Sequence, residues 1–218
     1  MVFYDPRFHM TVFGRFLVRI TSYSSYLLII ALAITMILSE APWMITIGIF
    51  FILCIVDRMY RRRKADQELS WLPSTGIVNV APSLKPATFS YLERAYDRSI
   101  MLHHDLALEL MLQLLSDHNV KHILHEAEVP PAEFRAKAEE FARNSFETAS
   151  LSAPSDRRRL LEALVVRAGT IALEDRHEAI EPQDLFEAIQ DQAKDYTERL
   201  ITAFGIARKK KPVGSATI

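Results

Sequence analysis

Three histidines lie close together in this sequence, at His118, His122 and His125, with Asp117 and Glu126 beside them. Imidazole nitrogens and carboxylate oxygens are ligands that zinc and related metals accept. His122 and His125 would share one face of a helix, so the cluster is a candidate metal site. The alternative, which we favour, is the solvated polar face of a short helix, with His118 in the preceding loop. We therefore expect no bound metal or other cofactor.

Two further histidines belong to a faint internal duplication. Two small residues and a histidine recur about 73 positions later: Ala95, Ser99 and His104, then Ala168, Ala172 and His177. An apolar helical pattern follows each set. Self-similarity of this kind predicts two related helical bundles that share one core. In both bundles the histidine is expected to cap or pack a helix junction.

The sequence lacks the motifs of the common nucleotide-dependent enzymes. It has no Gly-x4-Gly-Lys-(Ser/Thr) loop, and its 6 glycines in 218 residues form no glycine-rich loop that would hold phosphates. No catalytic constellation is recognisable, so we expect no enzyme; a hydrolase that uses the histidines is a minor alternative. The basic runs lack interleaved aromatic residues, which argues against nucleic acid as a partner.

Two uncharged apolar runs, residues 26–38 and 43–56, precede the duplication and are separated by a break that contains Pro42. With their flanks, residues 20–60 approach the roughly 20 residues that each membrane-spanning helix needs. We therefore predict a two-span transmembrane helical hairpin, with Tyr23, Trp43 and Tyr60 in an aromatic belt at its ends. Residues 1–19 are a juxtamembrane N-terminal segment, which is either an interfacial helix containing Phe8, Val12, Phe16 and Ile20 or a frayed tail.

Positive charge flanks the hairpin. Arg7, Arg15 and Arg19 lie before the first span, and the connecting turn carries only Glu40. A basic cluster follows the second span and is expected to face anionic lipid headgroups: Arg61, Arg62, Arg63 and Lys64. The positive-inside rule then predicts an integral protein of the cell inner or plasma membrane, with both termini and the soluble domain in the cytoplasm.

The remaining chain reads as helical almost throughout, so the predicted fold class is all-α, with about seven to eight helices in the soluble part. Residues 61–87 hold the basic cluster and a linker containing Pro73, Gly76 and Pro82, which is either extended throughout or has a short segment at residues 76–80 lying on the domain. Residues 88–206 form the double repeat, with copies at 88–149 and 155–206. Asp105 and Asp156 are predicted N-caps. Residues 207–218 are expected to be a basic disordered tail.

The second copy carries the pattern Ala-x3-Ala-x4-His-x2-Ile-x2-(acid or amide)-(polar)-Leu-Phe-x-Ala-Ile, from Ala168 to Ile189. This pattern resembles the Clp repeat, the helical unit found twice in the N-terminal domain of Clp-type AAA+ unfoldases. Residues 123–129 and 200–206 are similar to the end of the family's closing helix. The second copy taken alone is also similar to histone-like and ATPase-lid helix sets.

In the Clp family a Glu-His pair commonly begins the central helix of each repeat, and in substrate-binding members that glutamate holds cationic or phosphoarginine-type groups. The corresponding positions here are Leu108-Glu109 and Gln183-Asp184. Leu108 and Gln183 stand in the glutamate's place, and an uncharged side chain forms no charge-assisted bond to a guanidinium. The resemblance therefore does not extend to phosphoarginine recognition.

These features together predict a membrane-anchored, cytoplasm-facing protein-interaction module. We interpret it as a substrate or partner receptor or adaptor linked to Clp-type protein quality control. Its expected partners are unfolded protein or peptide clients, or a AAA+ unfoldase, in addition to a bilayer with anionic headgroups. The alternative is a structural scaffold subunit that docks one fixed partner in a membrane complex.

Overall fold

The computed structural model describes residues 1–61, 65–69, 78–144, 154–192 and 195–205. Within these ranges the chain forms nine α-helices and two isolated β-bridges but no strand, so the predicted all-α class is confirmed. Two compact units are present. The hairpin unit is Tyr4–Asp66, and the helical unit is Met1–Phe3 together with the chain from Gln67 onward.

The hairpin unit consists of α1 (Val12–Ile37) and α2 (Pro42–Arg61), which pack against each other across a short connection. Gly48 permits this packing, because a Cβ there would lie 2.8 Å from the carbonyl oxygen of Ala33 and 2.7 Å from Cγ1 of Ile37. Small residues at a helix contact let the two backbones approach closely. Among the described residues, α1 is the one helix long and apolar enough to cross a membrane.

The N-terminal segment differs from both predictions made for it. A 3-10 turn at Pro6–His9 comes first, and α1 then begins at Val12. The side chain of Asp5 accepts the N–H of Arg7, and that of Thr11 accepts the N–H of Gly14 at 3.1 Å. Two separate caps therefore start two separate helices, so Phe8 does not share one interfacial helix with the later apolar residues.

The helical unit contains seven α-helices among its described residues. They are α3 (Pro86–Leu102), α4 (Leu106–Leu114), α5 (His118–Glu126), α6 (Pro131–Asn144), α7 (Pro154–Glu174), α8 (Pro182–Asp191) and α9 (Asp195–Ala203). Asp105 is the N-cap of α4, so this prediction is confirmed. The prediction for Asp156 was wrong, because Pro154 begins α7 and Asp156 lies in its first turn. His118 is the first residue of α5, not a loop residue.

Helix α4 occupies the centre of the helical unit. It contacts α3, α6, α7, α8 and α9, and it is apolar at every position except Glu109 and Gln113. A helix with so little polar surface is stable only when other helices surround it. The second central helix, α8, contacts α3, α4, α5, α7 and α9.

The segment predicted as a linker contributes to the core. The helical unit begins at Gln67 instead of Thr88, and Leu69, Val80 and Leu84 are buried. Leu84 pairs in parallel with Ile180, the residue that leads into α8. The prolines and glycine of this segment suggested an extended linker. Its apolar side chains Leu69, Val80 and Leu84 are instead buried in the helical unit. Residues 62–64 and 70–77 of this predicted linker lie outside the described ranges.

Candidate functional sites

The two histidines of the duplication each occupy the turn before a central helix. His104 lies between α3 and α4, and His177 lies between α7 and α8. The residue directly before each one has a left-handed backbone, with φ of 55° at His103 and 60° at Arg176. Non-glycine residues seldom adopt this conformation. Its recurrence next to both histidines shows that the two junctions share a backbone turn, in addition to their sequence similarity.

At the first junction, Glu109 holds α3 and α4 together. Its Oε1 lies 2.7 Å from Nδ1 of His104, and its Oε2 accepts the Nε–H of Arg98 at 2.9 Å. The Glu109 side chain is 1% exposed, whereas that of Arg98 is 53% exposed. An ionised carboxylate only accepts hydrogen bonds, so a hydrogen bond from His104 to an ionised Glu109 requires the tautomer with its proton on Nδ1. The buried charge is thus compensated by a cation that reaches water.

At the second junction, Asp184 takes the corresponding role with a shorter side chain. Its Oδ1 lies 2.9 Å from Nδ1 of His177, and its Oδ2 accepts the N–H of Glu181 at 2.8 Å in a capping box. The far ring nitrogen, Nε2 of His177, lies 3.4 Å from Nε2 of Gln183. Burial raises the pKa of the Asp184 carboxyl, and the bond from Glu181 and the nearby His177 only partly offset this.

The four residues that the Clp resemblance aligns with the Glu-His pairs of the family are therefore all buried or in contact with other side chains of this chain. Leu108 is in the core, and the carboxylates of Glu109 and Asp184 both have donors from their own chain. Gln183 is half-buried and neutral. Among these four residues, no exposed carboxylate is presented to a cationic ligand. What the sequence did not reveal is that Glu109 already binds a guanidinium, that of Arg98, from the preceding helix.

The three clustered histidines do not come together as ligands. Among the described residues, no group of three or more histidine, cysteine or carboxylate side chains could hold a metal ion. His122 instead faces Glu126 one turn later, with Nδ1 3.5 Å from Oε1 and both side chains exposed. The basic cluster predicted to meet lipid lies largely outside the described ranges: Arg61 ends α2, and Arg62, Arg63 and Lys64 are not described. The predicted tail, residues 207–218, is also outside them.

Exposed apolar side chains that the sequence did not predict lie at the helix end before each histidine junction. Among the described residues of the helical unit, the exposed large apolar side chains are Met1, Val2, Met101, Leu102 and Leu173. Met101 and Leu102 end α3, and Leu173 lies in the last turn of α7. Met101 is the most exposed of them, at 66%. The only sequence signal was that the apolar helix patterns continue to the helix ends.

The hairpin unit exposes a much larger apolar surface along both helices. Tyr23 and Trp43, two of the residues predicted to lie in an aromatic belt, are largely exposed. Further exposed apolar side chains of this unit include Phe13, Phe16, Leu27, Leu28, Leu38, Phe50, Leu53 and Val56. Many exposed apolar side chains on long helices are typical of segments that contact a membrane or another protein.

Comparison of the chain with protein-family models, with curated proteins and with solved structures found no significant match. The resemblance to the Clp repeat therefore stays a prediction that rests on the sequence pattern. What the structure adds is the geometry of the two junctions, each with a left-handed residue, a histidine and a buried carboxylate.

Proposed function

We propose that this protein is a membrane-anchored receptor or adaptor whose helical unit is a double Clp-like repeat. The observation that carries the proposal is the duplicated junction. His103 and His104 have counterparts in Arg176 and His177, 73 positions later, in backbone conformation as well as in sequence. A second correspondence supports it, because Glu128 and Gly205, which follow α5 and α9, also have positive φ values of 57° and 60°.

The anchor is proposed to be a two-span hairpin with both ends on one side of the membrane. Three observations support this: the length and hydropathy of α1, the exposed apolar surface of the hairpin unit, and the path of the chain. Met1–Phe3 belongs to the helical unit, so the chain leaves that unit before α1 and returns to it after α2. A chain that leaves and returns on the same side crosses the bilayer an even number of times. The flanking arginines favour the cytoplasm for that side.

The contact surface for clients is proposed to be the apolar helix ends beside the two junctions, at Met101, Leu102 and Leu173. These side chains are exposed, while the adjacent carboxylates are buried and bonded. An apolar segment of an unfolded protein fits such a surface better than a cationic group does. Methionine is well suited to the role, since its flexible side chain adapts to different partners.

Binding of an unfolded protein to the full chain in lipid nanodiscs tests this proposal. A permanently unfolded, carboxymethylated and fluorescently labelled protein should bind the wild type, and Met101→Glu should weaken binding by about tenfold or more. Burying a methionine contributes roughly 1.5–3 kcal/mol, and about 1.4 kcal/mol corresponds to a factor of ten. Asn119→Glu is the matched control, because it adds the same charge at another exposed position of the helical unit.

Two results would redirect the proposal. Wild-type protein that binds no unfolded chain, and that copurifies with one membrane partner in fixed stoichiometry, favours the structural scaffold over the receptor. Topology is tested separately with a membrane-impermeant maleimide on intact cells, in a chain whose Cys54 is replaced by alanine. Glu40→Cys should react from outside, and Asn119→Cys should react only after permeabilisation. Labelling of both from outside would contradict the proposed orientation.

A further inference from the structure

The chain connects the helical unit to the hairpin unit at two places, after Phe3 and before Gln67. Both places lie on one edge of the helical unit. Val2 forms a parallel bridge with Asn79, with backbone hydrogen bonds of 2.8 and 3.0 Å on either side of it. The N–H of Gln67 donates to the carbonyl oxygen of Pro82 at 3.0 Å, three residues further along the same segment. We name this part of the helical unit, residues 79–82 with Met1–Phe3 beside them, the tether edge.

Two adjacent apolar side chains are exposed at the tether edge. Met1 is 45% exposed and Val2 is 40% exposed, whereas Phe3 is buried. Their positions are fixed by the helical unit, because Val2 is paired through its backbone and the sulfur of Met1 would lie 3.7 Å from a Cβ on Gly169 of α7. The tether edge therefore presents apolar surface from a defined position, beside the two connections to the hairpin unit.

The connections limit the distance between the tether edge and the bilayer that the hairpin is proposed to span. Eight residues, 4–11, come before α1, and five residues, 62–66, follow α2. An extended chain covers at most about 3.3–3.6 Å per residue, so the tether edge stays within about 20 Å of the membrane surface at which α2 ends. Because both connections leave from the same edge, the helical unit has little freedom to turn that edge away from the bilayer.

We propose that the tether edge docks on the lipid headgroup layer, and that Met1 and Val2 enter the boundary between headgroups and hydrocarbon. Charge in the connection after α2 fits an anionic bilayer, since residues 62–66 carry three basic side chains and one acidic side chain. Basic groups next to apolar side chains are typical of segments that lie in the interface of anionic membranes.

The small size of this apolar surface is compatible with docking, because the contact is intramolecular. Two half-exposed side chains would hold a free protein on a bilayer only weakly. The two covalent connections keep the tether edge at a high effective concentration next to the membrane, so a weak contact is sufficient. The helical unit is then held on the membrane in one orientation. This inference goes beyond the proposed client surface and rests only on the proposed membrane anchor.

Quenching of a fluorophore by lipid tests where the tether edge lies. Val2→Cys, Asn119→Cys and Leu27→Cys are each made in a chain whose Cys54 is replaced by alanine, and each is labelled with the dye NBD. The full-length proteins are placed in nanodiscs of three parts phosphatidylcholine to one part phosphatidylglycerol, with or without a doxyl quencher near the headgroup. NBD at Val2 should be quenched at least twofold more than NBD at Asn119, an exposed position elsewhere on the helical unit, and its emission should shift to the blue. NBD at Leu27, an exposed side chain of α1, reports insertion of the hairpin unit.

The three positions separate the possible outcomes. Quenching at Leu27 with equally weak quenching at Val2 and Asn119 would overturn the docking inference and leave the anchor intact. Absence of quenching at Leu27 would overturn the anchor and the docking together. Equally strong quenching at Val2 and Asn119 would also overturn the inference, because no particular edge would then face the lipid. The receptor proposal is tested independently by the effect of Met101→Glu on the unfolded protein.

Magnetic resonance of the wild-type protein gives a second measurement that does not depend on the variants folding. The methionine methyl groups are labelled with carbon-13, and the protein is placed in the same nanodiscs with or without a lipid that carries a nitroxide on its headgroup. The nitroxide lipid should broaden the Met1 methyl signal at least twofold more than that of Met111, which is buried in α4. Equal broadening of the two signals would overturn the inference.

Discussion

The buried ion pair of the first junction allows a quantitative test of how the helical unit is held together. Arg98 and Glu109 are joined by a hydrogen bond of 2.9 Å, and the carboxylate is 1% exposed. Lys137 and Glu140 on α6 form a bond of nearly the same length, 2.8 Å, but both side chains are substantially exposed. The acid is buried only in the first pair, which also joins two helices, whereas Lys137 and Glu140 lie three residues apart on one helix. A double-mutant cycle on each pair therefore compares the coupling of a buried pair between helices with that of an exposed pair within one helix.

The expected coupling energies follow from these environments. A hydrogen bond between charged groups in a protected position contributes about 1.5–3 kcal/mol, whereas exposed helix pairs give about 0.2–0.5 kcal/mol. Arg98→Met should be more destabilising than Glu109→Gln. Arg98→Met leaves a buried carboxylate with only His104 as a partner, while Glu109→Gln leaves a cation that is already half in water. The double variant should be close in stability to Glu109→Gln alone.

The measurement is the urea midpoint of the full chain in nonionic detergent, followed by pulse proteolysis of the helical unit. With a denaturant slope of roughly 2 kcal/mol per molar urea, a coupling of about 2 kcal/mol appears as a non-additive midpoint shift of about 1 M. The Lys137→Met, Glu140→Gln cycle should show less than about 0.3 M. Equal coupling in the two cycles, or a smaller effect of Arg98→Met than of Glu109→Gln, would refute the reasoning from burial.

Three further outcomes are expected. Gly48→Ala should lower the SDS mole fraction at which the hairpin unit loses its helical circular dichroism signal, because overpacking destabilises by about 1–3 kcal/mol. Gly14→Ala is the control and should leave this mole fraction unchanged, because its Cβ would lie 3.4 Å or more from the nearest atoms. Burial raises the pKa of Asp184 above its ordinary value of 3.8, so the folded state favours the protonated form. As the pH rises above 3.8, the unfolded state ionises first and the folded protein loses stability. The urea midpoint of Asp184→Asn minus that of the wild type should therefore be larger at pH 7 than at pH 4. A larger difference at pH 4 would contradict the expected direction of the pH dependence. Phe134→Ala should lower stability by about 3–5 kcal/mol in the same urea assay, because Phe134 is fully buried and packs on Phe204 at 5.2 Å between ring centres; a loss below about 1 kcal/mol would contradict this packing.

Local patterns in the sequence were sufficient to predict the helices and the central position of α4. That helix could be predicted because its polar residues are reduced to Glu109 and Gln113, which leaves no solvent-facing side. The equivalence of the two histidines was likewise visible from their spacing. Each of these signals lies within a window of a few helical turns, where side-chain periodicity directly reflects burial.

The contacts between distant segments were not predictable in the same way. The pairing of Val2 with Asn79, and that of Leu84 with Ile180, joins residues far apart in the chain through backbone atoms. Backbone hydrogen bonds leave little trace in side-chain type. The segment before α3 was therefore interpreted from its prolines as a linker with at most residues 76–80 on the domain, although Val80 and Leu84 are both buried. The same reasoning placed the start of the domain at Thr88, whereas the compact helical unit includes the chain from Gln67 onward.

The polar groups at the two junctions explain why recognition is proposed to be apolar. In each copy a left-handed residue reverses the chain, a histidine follows, and a carboxylate in the next helix accepts a hydrogen bond from that histidine. Both carboxylates also satisfy a second donor, Arg98 in one copy and the N–H of Glu181 in the other. If either carboxylate turned to an external cation, its internal hydrogen-bond donor would lose its acceptor or a buried charge would lose its partner. Such losses cost several kcal/mol. The exposed helix ends at Met101, Leu102 and Leu173 require no such rearrangement, which is why the proposed contact surface for clients is placed there.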